Sequence, residues 1–216
     1  MYVPAHFSVP DNEALYRLIR EHPLGTLVTN GGGGLDANHI PFEAEPAQGR
    51  HGVLRAHVAR GNPVWKDIRD GSEVLVIFRA EHAYISPNWY PTKHESHKQV
   101  PTWNYRVVHA HGTIKIRHDE TFLRGLVGRL TQAHEASQPV PWQMSDAPAD
   151  YIAAMLKAIV GLEIDITRLV GKFKLSQNRE LRDRLSLGEA LWKQGATALA
   201  QATLDTIPAS AERTKT

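Results

Sequence analysis

Tyr84-Ile85-Ser86-Pro87-Asn88-Trp89-Tyr90 and Pro101-Thr102-Trp103-Asn104-Tyr105-Arg106-Val107-Val108-His109-Ala110-His111-Gly112 are the two stretches around which the chain is organised. They contain two of the five tryptophans and three of the six tyrosines, interleaved with Ser, Thr and Asn. Proteins hold planar ligands with aromatic walls and a few oriented polar groups, so this mixture predicts a ligand site. The structural alternative is a twisted hairpin that aromatic cross-strand pairs stabilise.

Length and composition describe an ordinary globular protein. A chain of 216 residues can bury one substantial core, and we expect one main domain with a helical tail. The formal charge of +2 is too small to indicate a nucleic-acid partner. Because the chain has no cysteine, disulfides and thiolate metal sites are excluded.

The start of the chain has no basic segment followed by an apolar run, and no stretch reaches the ~18 apolar residues that membrane spanning requires. We therefore expect a cytoplasmic protein with no membrane partner.

Periodicity predicts mainly strands in the first half of the chain. A capping box at Ser8 opens a first helix that ends near Glu21. Strands are expected at residues 24–29, 38–42, 51–57 and 73–78, the last buried on both faces. The four glycines at 31–34 form a hairpin turn, since a phosphate loop would need Lys and Ser or Thr at fixed offsets.

The second half alternates strands and helices. Strands are predicted at residues 105–117 and 162–167, and helices at 120–137, 149–159 and 179–204. Asp119 caps the first of these helices, Gly161 ends the second, and Gly188 and Gly195 interrupt the third. The last dozen residues are expected to be frayed. Six or seven strands with short connections favour a small β-barrel with helical additions over a doubly wound sheet.

The histidines invite a metal hypothesis that the spacing does not support. His94-Glu95-Ser96-His97 places its second histidine one residue too early for the helical H-E-x-x-H arrangement. His109 and His111 share one face of a strand. The insert at residues 92–100 is polar, so we expect solvated histidines there and predict no metal site.

Two segments have the chemistry of an anion site. Asn62 and Pro63 are a good cap and first residue for a short helix, and His57, Arg60 and Lys66 lie close to it in sequence. An ordinary surface helix is the alternative there. In the second segment, Lys172 and Lys174 lie at alternate positions and are followed by Ser176 and Gln177. The cations therefore share one side of an extended chain, which faces either a phosphate or water.

Four motifs together resemble the PaiB family of negative transcriptional regulators, which bind flavin mononucleotide (FMN). They are Met1-Tyr2-Val3-Pro4-Ala5-His6-Phe7, Ala83-Tyr84-Ile85-Ser86-Pro87-Asn88-Trp89-Tyr90, Val100-Pro101-Thr102-Trp103-Asn104-Tyr105 and Lys172-Phe173-Lys174-Leu175-Ser176-Gln177-Asn178-Arg179. The resemblance runs from residue 1 to about residue 205. It implies an FMN-binding split β-barrel with flanking helices at residues 1–178 and a C-terminal helical tail at 179–216. It also implies a homodimer with the flavin in the cleft between the subunits.

The resemblance gives the residues found above specific roles toward FMN. The phosphate contacts would be His57, Arg60, Asn62 and Lys66, with Lys172 and Lys174 as alternatives. Trp103 and Tyr84 would form the wall of the isoalloxazine ring. Ser86, Thr102, Asn104, Ser176 and Gln177 would address polar atoms of the ring or ribityl chain, and His39 is a further ring neighbour. No residue is identified as catalytic.

Two functions follow from the resemblance. In the first, the protein is a flavin-responsive regulator that lowers gene expression by binding DNA or a regulatory protein partner. In the second, it is an FMN-dependent oxidoreductase, similar to flavin reductases or pyridoxamine-phosphate oxidases, with an indirect regulatory effect. Arg179, Arg182 and Arg184 form the best DNA-binding patch, although a solvated helix face explains them as well.

Overall fold

The computed structural model describes residues 1–208. Its strands are β1 (Ser8–Val9), β2 (Leu24–Gly31), β3 (Gly34–Pro41), β4 (Glu43–Glu45), β5 (Val53–Ala59), β6 (Glu73–Ile85), β7 (Thr102–Arg117) and β8 (Ile159–Lys174). Its α-helices are α1 (Asn12–Glu21), α2 (Val64–Asp67), α3 (Pro91–Ser96), α4 (Glu120–Glu135), α5 (Ala149–Lys157), α6 (Leu181–Lys193) and α7 (Thr197–Leu204). Short 3-10 helices lie at Ala5–Phe7, Pro87–Trp89 and Met144–Asp146.

The strands form one eight-stranded sheet in the order β3-β2-β6-β7-β8-β5-β4, with β1 paired to β8. The pairs with a defined register, such as β2 with β3 and β5 with β8, are antiparallel. This confirms the prediction of a mainly β fold with helical additions, and the described sheet has one strand more than the upper estimate.

The chain divides into two compact units. Unit 1 comprises Met1–Asn12, Arg79–Val108 and the described part of Val170–Thr216, and unit 2 comprises Glu13–Phe78 and His109–Leu169. Strands β6, β7 and β8 contribute residues to both. The predicted boundary after residue 178 is a different division, and it stays a prediction.

The core of unit 2 follows from strand alternation. In β2 and β6, Leu27, Val76 and Phe78 are fully buried, while their sequence neighbours are partly exposed. Residues 73–78 were expected to be buried on both faces. In the single chain one face is buried and the other is only partly buried. Gly161 does not end a helix but lies inside β8, where a Cβ atom would come within 2.6 Å of the Phe122 ring. Glycine there lets α4 approach the strand closely.

Helices α6 and α7 supply part of the core of unit 1. Its buried cluster comprises Ile85, Tyr90, Leu175, Leu187, Leu191, Leu199 and Ala200. Gly188 lies inside α6 rather than at a break, and an added Cβ would be 2.6 Å from Leu204 of α7. Gly195, with φ of +76°, makes the predicted turn between these two helices.

Several boundaries differ from the predictions. Ser8 and Val9 pair with β8 instead of capping α1, although α1 ends at Glu21 as predicted. Part of the polar insert forms α3, because buried Asp183 accepts hydrogen bonds from the backbone and hydroxyl of Thr92. Of the residues expected to be frayed, 209–216 lie outside the described part of the chain. None of the helices within residues 1–208 is long and apolar enough to cross a membrane.

Candidate functional site

Three aromatic side chains of unit 1 form an open surface that we term the aromatic face. It consists of His82 and Tyr84 on β6 and Trp103 on β7. The Trp103 side chain is 53% exposed and that of Tyr84 is 47% exposed. The His82 and Trp103 rings are stacked at a centroid distance of 6.2 Å, and Tyr84 meets Trp103 edge-on at 6.1 Å. A flat, accessible indole is therefore held in place by its neighbours.

Lys174 of β8 contacts the backbone of this face, and Lys172 lies two residues before it on the same strand. Lys174 Nζ donates to Thr102 Oγ1 and to the Trp103 carbonyl. Lys172 Nζ donates to the Tyr2 carbonyl at 3.2 Å and lies 5.5 Å from the Tyr105 ring centroid. Within residues 1–208, neither ammonium group forms a salt bridge with a carboxylate. Their positive charge is thus available to an anion.

The pKa of Lys174 is lowered, first by burial and then by the charges of Lys172 and Arg179. An ammonium group in this position gains from a bound anion, because the anion would offset both the burial and the repulsion.

The other polar residues predicted in unit 1 mostly stabilise the fold. Asn104 is fully buried and donates to Ser176 Oγ at 3.0 Å, and that oxygen lies 3.1 Å from the Tyr90 hydroxyl. Gln177 donates to the Phe173 carbonyl at 2.6 Å. Ser86 Oγ accepts the Asn88 backbone N–H at 3.2 Å, at the start of a 3-10 helix. Of the five residues expected to meet polar ligand atoms, Thr102 is the one that directly contacts a lysine.

Two of the residues in unit 2 that were predicted to contact the phosphate form hydrogen bonds to the protein itself. Arg60 donates from Nε to the Lys157 carbonyl at 2.6 Å and from Nη2 to the Ile159 carbonyl at 2.8 Å. Asn62 caps the Val64 N–H at 2.9 Å and donates to Asn38 Oδ1 at 2.8 Å. The helix that follows, α2, has only four residues. Both side chains therefore join segments of the fold.

The remaining residues of unit 2 that were predicted to contact FMN have different surroundings. Lys66 is exposed, with its Nζ 5.1 Å from the Trp65 ring centroid. His39 lies on β3 opposite Thr26 and is exposed. His57 Nδ1 is buried without a hydrogen-bond partner, and burial lowers the pKa of this imidazole.

The other histidines are distributed without a metal-binding arrangement. His94 and His97 are exposed, as the sequence predicted for the insert. His109 and His111 lie with ring centroids 6.4 Å apart, and His111 Nε2 is 3.0 Å from the Arg168 guanidinium. In the described part of the chain, no three His, Asp or Glu side chains are grouped to hold a metal ion.

The arginines considered for DNA binding mostly contact other groups of the protein. Arg182 pairs with Glu95 and Glu180, and the side chain of Arg184 is buried with Nη2 bonded to Thr206. Arg179 lies 5.4 Å from the Tyr90 ring centroid. They do not form an open basic patch.

Sequence reasoning missed His82. The signal that could have found it is its spacing from Tyr84, because residues i and i+2 of an extended strand share a face. The donor set of unit 1 fits a phosphorylated planar ring, since it combines a flat indole, an edge-on phenol and two cations without acidic partners.

Comparisons with known proteins agree with this chemistry. The profile of a family described as "Putative FMN-binding domain" matches residues 1–168. The chain is 33% identical over 192 residues to the Bacillus subtilis "Protease synthase and sporulation protein PAI 2", covering 88% of this chain and 89% of that protein. It is 36% identical over 219 residues to an uncharacterized protein of Emericella nidulans, covering 85% and 87%.

Solved structures give the fold. The flavocytochrome Anf3 from Azotobacter vinelandii matches with a TM-score of 0.55 at 11% identity, covering 80% of this chain and 72% of that one. The FAD and heme binding protein from Mycobacterium smegmatis matches with a TM-score of 0.52 at 17% identity, covering 78% and 73%. The predicted fold class, a flavin-type split β-barrel with helical additions, is confirmed.

Proposed function

The chain belongs to the PaiB family of FMN-binding domains, and from that premise we propose that it holds FMN against the aromatic face of unit 1. The observation that carries the proposal is the exposed Trp103 side chain, together with a Lys174 ammonium group that donates to the Trp103 backbone carbonyl and pairs with no carboxylate in residues 1–208. Among the predicted phosphate contacts of unit 2, Arg60 and Asn62 bond to protein groups, and Lys66 lies over the indole of Trp65, which is less exposed than Trp103.

Each residue has a distinct role in this arrangement. Trp103 and Tyr84 provide the flat wall and its edge, while Lys174 and Lys172 neutralise the phosphate. Thr102 orients the Lys174 ammonium through its hydroxyl. When bound, FMN supplies electron transfer, and the protein supplies binding and electrostatics.

Equilibrium titration of the flavin-free protein with FMN tests this proposal. Because the ring would lie on an indole, we expect saturable quenching of flavin fluorescence at one FMN per chain. Riboflavin, which lacks the phosphate, should bind more weakly. Equal affinity for both ligands would contradict the role of the lysines.

The proposal includes a homodimer, and an uncovered sheet face of unit 2 supports it. Leu27 and Val76 are register partners with fully buried side chains, so their face of the sheet is the core face. The alternate residues Val28, Leu75 and Ile77 lie on the opposite face and are only partly buried. A contiguous apolar sheet face of this kind favours an interface.

Sedimentation velocity tests the dimer. Leu75→Glu places a charge on the proposed interface and should shift the protein from dimer to monomer. Val140→Glu is the control, because Val140 is 85% exposed and not part of this sheet face. A wild-type monomer, or a Leu75→Glu dimer as stable as wild type, would contradict the interface.

We further propose that the flavoprotein acts as a negative regulator of transcription through a protein partner. The family resemblance supports the regulatory role, and the engagement of Arg182 and Arg184 argues for a partner over direct DNA contact. This role implies a cytoplasmic location. Gel-shift titration with competitor DNA should then give only weak, salt-sensitive, sequence-independent binding. Sequence-selective binding that survives competitor would overturn the indirect route.

An FMN-dependent oxidoreductase is the second candidate, and His82 favours it. Its imidazole is stacked with Trp103, so a titratable group lies beside the proposed flavin wall. Under this alternative, FMN-loaded protein oxidises NADH or NADPH with multiple turnovers when an added electron acceptor takes up the two electrons from the reduced flavin, and His82→Phe slows that turnover while FMN stays bound. A single reduction without turnover would favour the regulator.

A further inference from the structure

A cavity in unit 2 has no role in the proposed function. Its volume is about 350 Å³, which suits a molecule of one or two rings. Much of its wall is apolar. Its lining consists of Pro41, His57, Val127, Leu130, Thr131, His134, Glu135 and Trp142.

The backbone of Trp142 is fixed by a specific contact. Glu135 Oε2 accepts the Trp142 backbone N–H at 3.0 Å, which ties the segment after α4 back to the end of that helix. Trp142 nevertheless keeps 42% of its surface exposed. One carboxylate oxygen of Glu135 is thus used for structure, and the second has no hydrogen bond within the described residues.

The polar side chains of the cavity include groups that could form further hydrogen bonds. His57 Nδ1 is buried without a hydrogen-bond partner in residues 1–208. A buried imidazole nitrogen in that state is costly, and a ligand hydrogen bond would offset the cost. Because burial lowers the pKa of His57, its ring is neutral at pH 7. The described lining contains no lysine or arginine, so Glu135 sets the sign of the charge.

We propose that this cavity is a second ligand site and that it takes a small aromatic amine. The ring would lie against Trp142, Val127 and Leu130, and the protonated amine would pair with Glu135 while His57 offers a further hydrogen bond. An adjacent cavity of about 640 Å³ shares Thr131, Glu135 and Trp142. We assign the ligand to the smaller cavity because only that one includes His57.

This site and the proposed FMN site use different residues. FMN is assigned to Trp103 and Lys174 in unit 1, whereas the amine is assigned to Glu135 and Trp142 in unit 2. The two proposals can therefore fail separately, since FMN affinity does not enter the amine measurement.

Isothermal titration calorimetry on the full-length protein, prepared without added FMN, tests the inference with three matched probes. Benzylamine, benzyl alcohol and benzoate have the same ring but are cationic, neutral and anionic at pH 7. We expect affinity to decrease in that order. Benzoate binding as tightly as benzylamine would overturn the assignment of Glu135, and no binding of benzylamine at millimolar concentration would overturn the site.

Two variants separate the roles of the wall and the charge. Glu135→Gln keeps an oxygen that can accept the Trp142 N–H, so it should weaken benzylamine about fivefold and leave benzyl alcohol unchanged. Trp142→Ala should weaken both probes. Trp192→Ala is the matched control, because Trp192 is similarly exposed, at 46%, but belongs to unit 1. Equal loss in Trp192→Ala, or no loss in Trp142→Ala, would contradict the proposal.

Discussion

The aromatic face with its two lysines and the segment from His57 to Lys66 are both rich in cations and polar groups, yet they use them differently. In the segment, Arg60 and Asn62 donate to groups of the protein itself. Beside the aromatic face, Trp103 is half exposed and Lys174 carries a charge without a described acidic partner. Lys174 of unit 1 thus remains available to an anion, whereas Arg60 and Asn62 of unit 2 are bonded within the fold.

The difference teaches that residue type alone does not identify a ligand contact. A guanidinium that saturates backbone carbonyls stabilises the connection it spans. An ammonium group held beside an exposed indole can still gain a partner. The predictions below test whether this distinction holds.

The largest expected effect is that of Lys174→Met on FMN affinity. Because hydrogen bonds to charged groups contribute about 1.5–3 kcal/mol, the Kd for FMN should rise between about 10-fold and 150-fold. Fluorescence titration measures the change. Lys66→Met is the control in unit 2 and should leave the Kd unchanged. If Lys66→Met weakened FMN more than Lys174→Met, the two regions would exchange roles.

Removal of the indole should have the next largest effect. Trp103→Ala should raise the FMN Kd up to about tenfold, since aromatic pairs contribute about 0.5–1.5 kcal/mol beyond area burial. It should also restore much of the flavin fluorescence in the bound state. Trp192→Ala should change neither quantity. Unaltered quenching in Trp103→Ala would place the ring elsewhere.

Arg60→Met should change the stability of the protein without changing its affinity for FMN. Loss of the bonds to the Lys157 and Ile159 carbonyls should lower the free energy of unfolding by about 1 kcal/mol. The FMN Kd should stay the same. Urea denaturation and FMN titration of the same preparation measure both. A lower FMN affinity with unchanged stability would show that Arg60 contacts the phosphate after all.

The smallest effect is the pH dependence that Lys174 contributes. Its folded-state pKa is lowered from 10.5, so FMN affinity should decrease as the pH rises through that lowered value. In the flavin-free protein the sign for stability is opposite. The folded state binds this proton less tightly than the unfolded state, so raising the pH between the two pKa values adds stability. Lys174→Met should lose both pH dependences. FMN affinity and the stability of the flavin-free protein are therefore measured against pH in the variant and the wild type. Identical profiles in the two proteins would contradict the prediction.

The sequence could predict the parts of the site that depend on composition. Trp103, Tyr84 and the lysines at 172 and 174 were found because aromatic and cationic residues stand out within extended segments. It could not predict that Asn104 and Ser176 bond to each other across 72 residues of sequence, because burial of a polar side chain depends on tertiary packing.

The same limit applies to the fold. Strand alternation predicted β2 and most of β7 correctly. The sequence predicts that Gly161 ends a helix. In the structure this glycine instead admits the Phe122 ring next to β8, a contact with an element nearly 40 residues earlier in the chain. The buried Asp183 that holds α3 is likewise a long-range partner of Thr92.

A crystal structure of the protein with FMN tests the central claim most directly. We predict electron density for the ring against the Trp103 indole and for the phosphate within hydrogen-bond distance of Lys174 Nζ. A phosphate bound beside His57 and Lys66, with Trp103 uncovered, would contradict it.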